Sequence, residues 1–370
     1  MNTASDNTAN LIRITLGCFI SYAIVAGMLS QIGTLSSAMA DFFERPVTET
    51  GARFSWLSIG ITTGSVLSLF VYEFVSLKRT LLLCYRALIA ALFSIYLIDS
   101  WSWLPGGLML AGTTASLGLN TAAVTLAVCY EARQRAAVLL CTDICFASAG
   151  IIASPGAVAL LAAGHGWSSS YIAIALAAGI LLVMVLLSRY PPTAREARTI
   201  RNERWPTALV FCCGGLAIYL FGQISMLLWL PNYIETILGA ERAVGATAIS
   251  RYWTGMALGQ IALVLALLKF DAPRLLALVC VASALASSLL WMLNIPAQLL
   301  NAALLLGLCN AGILKLTMAY AASLVKHPQR VITTLLFCAS LGQVASPQAS
   351  STLVAVTSMK SALVLVTVSY

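Results

Sequence analysis

Charged residues are scarce in this chain: Asp, Glu, Lys and Arg make up 9% of its 370 residues, and only two histidines occur. The signatures HExxH, GxSxG, CxxC and GxxxxGK followed by Ser or Thr are all missing from the sequence. So few charges exclude a soluble domain, and the missing signatures argue against a metalloenzyme, a serine hydrolase or an ATP-driven pump. We therefore predict no enzyme activity, no cofactor and no metal site.

Apolar sequence fills the chain instead, with 60% hydrophobic residues and a mean hydropathy of +0.92. A helix needs roughly 20 apolar residues to cross the hydrocarbon core of a bilayer. Eleven apolar runs reach or approach that length, and the residues after Lys360 begin a twelfth. The predicted spans are 14–39, 54–74, 80–98, 103–130, 136–163, 168–188, 207–231, 246–268, 273–293, 296–324 and 331–356. The sequence thus predicts an all-α polytopic membrane protein whose twelfth helix is cut short.

Basic residues are distributed unevenly between the loops on the two sides of these spans. One side holds most of them, whereas the other has only Arg45, Arg53, Arg242, Arg251 and Lys360. By the positive-inside rule, the amino terminus and the 189–206 segment are predicted to be cytoplasmic. The first span is too long for a signal-peptide core and is expected to remain as a helix. Because the basic residues form no continuous face, nucleic acid binding is not expected.

The second half of the chain repeats landmarks of the first half. Three landmarks recur in the same order: Gly150-Ile-Ile-Ala-Ser-Pro155 as Gly342-Gln-Val-Ala-Ser-Pro347, Gly60 and Gly64 as Gly255 and Gly259, and Gln134-Arg135 as Gln329-Arg330. Each motif alone is common, since small residues let membrane helices approach closely, but their shared order indicates a repeat. We predict six-helix bundles at 1–188 and 207–370, the second with an incomplete last helix, joined by a cytoplasmic linker at 189–206.

With these spans and this repeat, the chain resembles the major facilitator superfamily over essentially its whole length. Glu73 and 77–79 resemble the family's loop signature, and 150–156 resembles its Gly-Pro motif. Segments 219–233 and 252–260 resemble the fucose-permease-like branch, and 130–143 is similar to the TsgA-type proteins within that branch. The resemblance implies a major facilitator fold and transport by alternating access. It does not imply fucose specificity, because the carboxylates that fucose permeases carry in helices one and four are absent.

The resemblance also places helices one, four, seven and ten around a central cavity, and each of them carries an uncharged amide. Polar groups are costly in hydrocarbon, so such amides face a cavity or one another. The predicted substrate-binding residues are the amides Gln31, Asn120, Gln223 and Asn310, with Tyr219 and Trp229 as a stacking surface. The alternative is that these amides only join helix to helix.

Asp143 is the only acid well inside a predicted span, and Lys315 is the only base. Measured along their helices from the cytoplasmic ends, they lie at compatible depths of about 12 and 16 Å. We predict that Asp143 accepts a coupling proton and that Lys315 is its partner or binds an anionic substrate group. The alternatives are a permanent buried pair, or an Asp143 that turns toward Arg133 and Arg135.

A cluster of charges is predicted to close the cytoplasmic side as an ionic lock. Its members are Glu73, Lys78, Arg79, Glu131, Arg133 and Arg135. The alternative is that these residues are solvated loop charges that only set the topology.

The sequence therefore predicts a secondary active transporter of a small polar solute in a bacterial inner membrane. The expected partners are that solute, membrane lipid and, as the candidate coupling ion, protons, and the chain is expected to be a monomer. Symport and antiport both remain open. The alternative function is a transporter-derived sensor or scaffold, which the short twelfth span and the altered loop signature favour.

Overall fold

The structure is a computed structural model, and the residues that it describes are 3–130, 132–191, 206–267, 269–325 and 328–370. Within these ranges all regular structure is helical and no β-strand occurs, which confirms the predicted all-α class. Most of the predicted linker at 189–206 lies outside the described residues.

Fourteen α-helices are found along the described residues. They are α1 (Thr3–Ser30), α2 (Ile32–Phe43), α3 (Val47–Val71), α4 (Leu77–Ile98), α5 (Leu104–Cys129), α6 (Ala132–Ala162), α7 (Ser169–Leu187), α8 (Thr207–Asn232), α9 (Arg242–Leu267), α10 (Ala272–Met292), α11 (Pro296–Asn310), α12 (Ile313–Ser323), α13 (Pro328–Val356) and α14 (Met359–Val368). A π-helical turn, Tyr233–Ile237, follows α8 directly. Among the described residues, nine helical segments are long and apolar enough to cross a membrane.

Two spans that the sequence predicts as continuous are each broken once, which corrects that prediction. Span 14–39 is interrupted at Gln31, whose φ of −96° and ψ of 0° end α1 before α2 begins. Span 296–324 is interrupted at Ala311 and Gly312, between α11 and α12. Mean hydropathy does not detect such breaks, because a break changes the backbone angles while the composition stays apolar. In a membrane, irregular backbone is tolerated where it is buried in protein or lines a cavity.

Two other predicted spans, 246–268 and 331–356, are helical but do not belong to the nine apolar segments. The second of these corresponds to α13, along which polar side chains are spaced among apolar ones. Ser346 and Ser350 of α13 are fully buried. Their hydroxyls bond to residues of α8, so the polar side of α13 faces protein.

Contacts divide the chain into two compact units. The first unit is built from the described parts of Met1–Met28, Trp56–Ala149 and Ser168–Ile200, and the second from those of Leu29–Ser55, Gly150–Trp167 and Arg201–Tyr370. Thus α2, the start of α3 and the end of α6 pack with the helices of the second half of the chain. The two sequence-based bundles remain a prediction.

In the first unit, α3 and α5 cross with their backbones in contact at glycines. A Cβ at Gly60 would collide with the carbonyl oxygen of Met109, and a Cβ at Gly112 would collide with that of Leu57. Gly64 is equally close to the carbonyl oxygen of Thr113. Any larger side chain at these positions would force the two helices apart.

The second unit contains the same crossing, between α9 and α11. Gly255 lies against the carbonyl oxygen of Leu304, and Gly307 lies against that of Tyr252. The offset that relates Gly60 to Gly255 also relates Gly112 to Gly307. The repeat inferred from the sequence therefore corresponds to the same glycine-mediated helix crossing in both units. In the second unit, this crossing brings α9 and α11 close enough to share a polar cluster.

Replacing Gly255 by valine should lower the unfolding free energy by about 1–3 kcal/mol or more, because the new side chain would overlap the backbone of α11. Gly214 on α8 is the matched control, since a Cβ there would meet nothing within 4 Å. We expect Gly214→Val to change stability by no more than about 0.5 kcal/mol. Thermal unfolding of both variants in detergent checks this, and equal melting temperatures would contradict the crossing.

Candidate functional site

A buried polar cluster joins α8, α9 and the end of α11 in the second unit. Gln223 donates through Nε2 to the hydroxyl of Tyr252 at 2.7 Å and to that of Tyr219, one turn earlier, at 3.4 Å. Asn310 donates through Nδ2 to the same Tyr252 hydroxyl at 3.3 Å. The Tyr219 hydroxyl donates to the backbone oxygen of Asn310 at 3.5 Å. The Tyr252 oxygen is therefore the common acceptor of both amides.

Two amides next to the helix breaks keep one polar atom each without a hydrogen bond among the described residues. These atoms are Nε2 of Gln31 and Oδ1 of Asn310, and each side chain is only 1% exposed. Leaving such an atom unbonded costs about 1–3 kcal/mol. Tyr252 accepts two hydrogen bonds, which leaves its own proton to donate. The described part of the second unit thus holds an uncharged set of buried donors and acceptors, two of which have no hydrogen-bond partner there.

Of the six predicted substrate-binding residues, the structure brings three together, namely Tyr219, Gln223 and Asn310. Trp229 is fully buried elsewhere on α8, and its Nε1 donates to the hydroxyl of Ser350 at 2.9 Å. Gln31 belongs to the second unit, next to the break between α1 and α2, and Asn120 belongs to the first unit. The substrate-binding role of all six stays a prediction.

Tyr252 is the member of the cluster that sequence reasoning missed. It stands one turn before Gly255, and Gly307 packs against its backbone oxygen. A tyrosine placed directly at a glycine crossing is held rigidly and close to the partner helix. Its position one turn before Gly255 was the feature of the sequence that could have singled out Tyr252.

A second polar cluster, which we call the clasp, consists of Ser37 and Asp41 of α2, Glu235 of the π-helical turn and Arg242 of α9. Arg242 donates to Oε1 of Glu235 through Nε at 3.0 Å and through a terminal nitrogen at 2.8 Å. The same terminal nitrogen donates to Oδ2 of Asp41 at 2.7 Å. Ser37 donates to the other oxygen of Glu235 at 2.9 Å. The clasp therefore ties α2 to the segment that follows α8.

Below the clasp, α2 and α8 touch through their backbones. A Cβ at Gly33 would lie 2.6 Å from the carbonyl oxygen of Leu228. Asn232 of α8 donates through Nδ2 to the hydroxyl of Ser36 at 2.9 Å and to the carbonyl oxygen of Gly33 at 3.2 Å. The contact between the two backbones, the hydrogen bonds of Asn232 and the clasp all join α2 to the carboxyl end of α8 and the turn that follows it.

The Arg242–Glu235 pair is the stronger part of the clasp, because both side chains are about three-quarters buried, whereas Asp41 is 74% exposed. Burial lowers the pKa of Arg242, but hydrogen bonds to Glu235 and Asp41 outweigh it, so the net shift raises that pKa above its usual value. A raised arginine pKa keeps the guanidinium protonated up to strongly alkaline pH, and its stabilising effect is lost only above that range. Deprotonation of Arg242 therefore does not open the clasp near neutral pH.

Three of the charges predicted for the cytoplasmic lock, Glu73, Lys78 and Arg79, lie in the first unit. Lys78 donates through Nζ to the backbone oxygens of Ser188 at 2.7 Å and Leu186 at 3.1 Å, and so caps the carboxyl end of α7. Glu73 and Arg79 are exposed near the start of α4.

The other three predicted members of the lock are Glu131, Arg133 and Arg135. Glu131 lies outside the described residues, and of Arg133 and Arg135 the structure describes the backbone within α6. The lock itself stays a prediction.

The two charges predicted for proton coupling lie in different units. Asp143 is half-buried on α6 in the first unit, beside Tyr22 and Thr142. Lys315 is exposed on α12 in the second unit. Their coupling role stays a prediction.

A family model described as Major Facilitator Superfamily matches residues 16–347. The chain belongs to this superfamily. Membership confirms the predicted resemblance and class: the protein is a multi-pass secondary transporter of a small solute and not an enzyme. The repeated glycine crossings and broken helices described above are thus features of a transporter.

Relatives and solved structures agree with this assignment. The chain is 25% identical over 341 residues to Protein TsgA of Escherichia coli O1:K1 / APEC. This match covers 90% of the chain and 86% of the relative. Two solved transporters share its fold at low identity. A point mutant of the nucleoside transporter NupG superposes with a TM-score of 0.77 at 13% identity, covering 97% and 96% of the two chains. A D-xylose-proton symporter superposes with a TM-score of 0.72 at 11% identity, and the match covers 97% of this chain and 95% of the symporter.

Proposed function

We propose that this transporter moves a small polar solute across the bacterial cytoplasmic membrane by alternating access, as a monomer with a cytoplasmic amino terminus. The observation that carries the proposal is the buried Tyr252 cluster, which presents hydrogen-bonding groups without charge next to a broken helix. Relatives in Escherichia coli support the bacterial membrane, and the uneven loop charges support the orientation. The fold shared with a nucleoside transporter and a D-xylose-proton symporter supports a hydroxylated solute.

The clasp is the gate in this proposal. By the positive-inside rule, Arg242 lies at the extracytoplasmic ends of the helices, so the clasp closes that side. Alternating access requires that Arg242 release Glu235 and Asp41 and that Gly33 separate from α8. Partly buried ion pairs suit such a gate, because they hold one arrangement firmly and are hydrated in the other.

Uptake into proteoliposomes tests the proposed function. The protein is reconstituted and exposed to radiolabelled nucleosides, pentoses and organic acids, with and without a pH gradient. We expect saturable entry of one class, reduced at least about tenfold in Gln223→Ala combined with Asn310→Ala, because each lost hydrogen bond contributes about 1 kcal/mol. Binding without entry would instead favour the sensor or scaffold function.

Proton coupling through Asp143 gives a separate prediction. Asp143→Asn removes the titratable group, so we expect uptake to lose its dependence on external pH while binding of the solute persists. Asp271→Asn is the matched control, since Asp271 is 76% exposed at the start of α10. Uptake by Asp143→Asn with the native pH profile would remove Asp143 from the coupling mechanism.

A further inference from the structure

Two cationic side chains meet at the carboxyl end of α7 in the first unit. Lys78 of α4 donates to the backbone oxygens of Leu186 and Ser188 at 3.1 and 2.7 Å. Arg13 of α1 donates through a terminal nitrogen to the backbone oxygen of Leu187 at 3.3 Å. Because these acceptors belong to consecutive residues, the ammonium and guanidinium groups are both held at one turn of helix.

A third cation, Arg189, is attached to the same turn. Asn10 of α1 fixes its backbone, since the Asn10 amide donates to the Arg189 oxygen at 2.9 Å and accepts from the Arg189 N–H at 2.7 Å. The guanidinium group of Arg189 takes no part in these two bonds, and the residue is exposed. We call Arg13, Lys78 and Arg189 the basic rim.

The basic rim keeps its positive charge, because the oxygens that Arg13 and Lys78 bond are neutral carbonyls. Arginine has five N–H donors and lysine has three. The bonds of Arg13 and Lys78 among the described residues leave at least one donor on each for an anion. In the sequence, segments 8–16, 72–80 and 185–191 together carry four basic residues and one acidic residue, Glu73. An anion therefore meets an excess of positive charge here.

Exposed apolar side chains continue from the basic rim along α1 and α7. The two helices pass close to each other, since a Cβ at Gly17 would lie 3.9 Å from the Cβ of Met184. Both carry apolar side chains that are between 48% and 63% exposed, namely Ile12, Leu16, Val183 and Leu187. Both helices are also long and apolar enough to cross a membrane. Such side chains meet acyl chains, whereas Lys and Arg near the helix ends lie at the level of the headgroups.

The side of the membrane indicates which ligand fits the basic rim. By the positive-inside rule, this end of α7 is cytoplasmic. Anionic lipids of the cytoplasmic leaflet attract basic residues, and basic pockets between membrane helices on that side bind their headgroups. A soluble phosphate would match the cations only, whereas a phospholipid matches both the cations and the apolar side chains next to them.

We infer that Arg13, Lys78 and Arg189 form a binding site for an anionic phospholipid. The lipid phosphate lies on the basic rim and the acyl chains lie along the exposed side chains of α1 and α7. This site belongs to the first unit, whereas the Tyr252 cluster belongs to the second. The bound lipid joins α1, α4 and α7 through cations that already hold the α7 carbonyls.

Thermal unfolding of the detergent-purified protein with three ligands tests the inference. Dioctanoyl phosphatidylglycerol is anionic, dioctanoyl phosphatidylcholine has no net charge, and glycerol 3-phosphate is an anion without acyl chains. A ligand that binds the folded state raises the melting temperature in proportion to its affinity. We expect phosphatidylglycerol to bind with at least about tenfold higher affinity than either of the others.

Three variants locate the site. Arg189→Gln removes one charge and keeps the backbone bonds to Asn10, so the affinity for phosphatidylglycerol should fall about fivefold. Arg13→Gln combined with Lys78→Gln should lower it about 25-fold. Arg274→Gln is the control, because Arg274 is 82% exposed at the start of α10 on the same predicted side. We expect this control to keep the native affinity.

Each other outcome overturns the inference. Equal affinity for the two lipids would mean that the cations only cap α7 and set the topology. Equal affinity for glycerol 3-phosphate and phosphatidylglycerol would assign the basic rim to a soluble phosphate. If Arg189→Gln and Arg274→Gln lose affinity equally, diffuse surface charge attracts the lipid and there is no site. Should the double variant fail to fold, Arg189→Gln decides, and a native affinity in that variant contradicts the site.

Discussion

Replacing Arg242 by glutamine is expected to reduce net transport by about tenfold or more. The substitution removes two hydrogen bonds to Glu235 and one to Asp41, and it leaves the largely buried Glu235 carboxylate without its cation. A hydrogen bond to a charged group contributes about 1.5–3 kcal/mol, so a net loss equal to only one of these three bonds should lower the population of the state closed by the clasp roughly tenfold to a hundredfold. A transporter that rarely reaches one of its two states turns over slowly.

The population shift can be measured directly with a single cysteine under the clasp. Leu35 is fully buried on α2, and Leu35→Cys in a background without the ten native cysteines reports whether this end is open. We expect maleimide labelling of that cysteine to accelerate by the same factor when Arg242→Gln is added.

Arg45→Gln is the control for the clasp experiment. Arg45 lies on the same predicted side and pairs with Glu49 at 3.8 Å, but both side chains are about half exposed. Exposed ion pairs contribute little to stability, so maleimide labelling of the cysteine should stay at the native rate in Arg45→Gln. The clasp is wrongly assigned if Arg45→Gln and Arg242→Gln accelerate labelling equally.

Tyr252→Phe is expected to weaken binding of the transported solute about tenfold to thirtyfold. Phenylalanine keeps the ring in place, but it removes the oxygen that accepts from Gln223 at 2.7 Å and from Asn310 at 3.3 Å. Each neutral hydrogen bond contributes about 1 kcal/mol, and both amides also lose the contact that orients them. Affinity is measured by the concentration dependence of the melting temperature with the solute that the uptake experiment identifies.

The matching control for Tyr252→Phe is Tyr96→Phe on α4, because Tyr96 is 43% exposed and belongs to the first unit, whereas the cluster belongs to the second. We expect its solute affinity to equal that of the native protein. An unchanged affinity in Tyr252→Phe would show that the cluster joins helices and does not bind the solute.

The candidate site was predicted only in part from the sequence. Amides at Gln223 and Asn310 were recognisable because an uncharged polar group in an apolar span is rare and costly. Their grouping around Tyr252 was not, because a tyrosine in such a span is unremarkable until its neighbours are known. The same holds for Trp229, whose bond to Ser350 of α13 depends on how α8 and α13 pack.

The sequence by itself determined the membrane class, the approximate helices and the repeat, because hydropathy and glycine spacing act over short stretches of chain. Tertiary structure alone decided the breaks at Gln31 and at Ala311 and Gly312, since a break changes backbone angles that composition does not record. It also decided the clasp, in which Asp41 and Arg242 meet across 201 residues of sequence. Such a pair forms only when helices from both halves of the chain have packed together, and no local pattern encodes that packing.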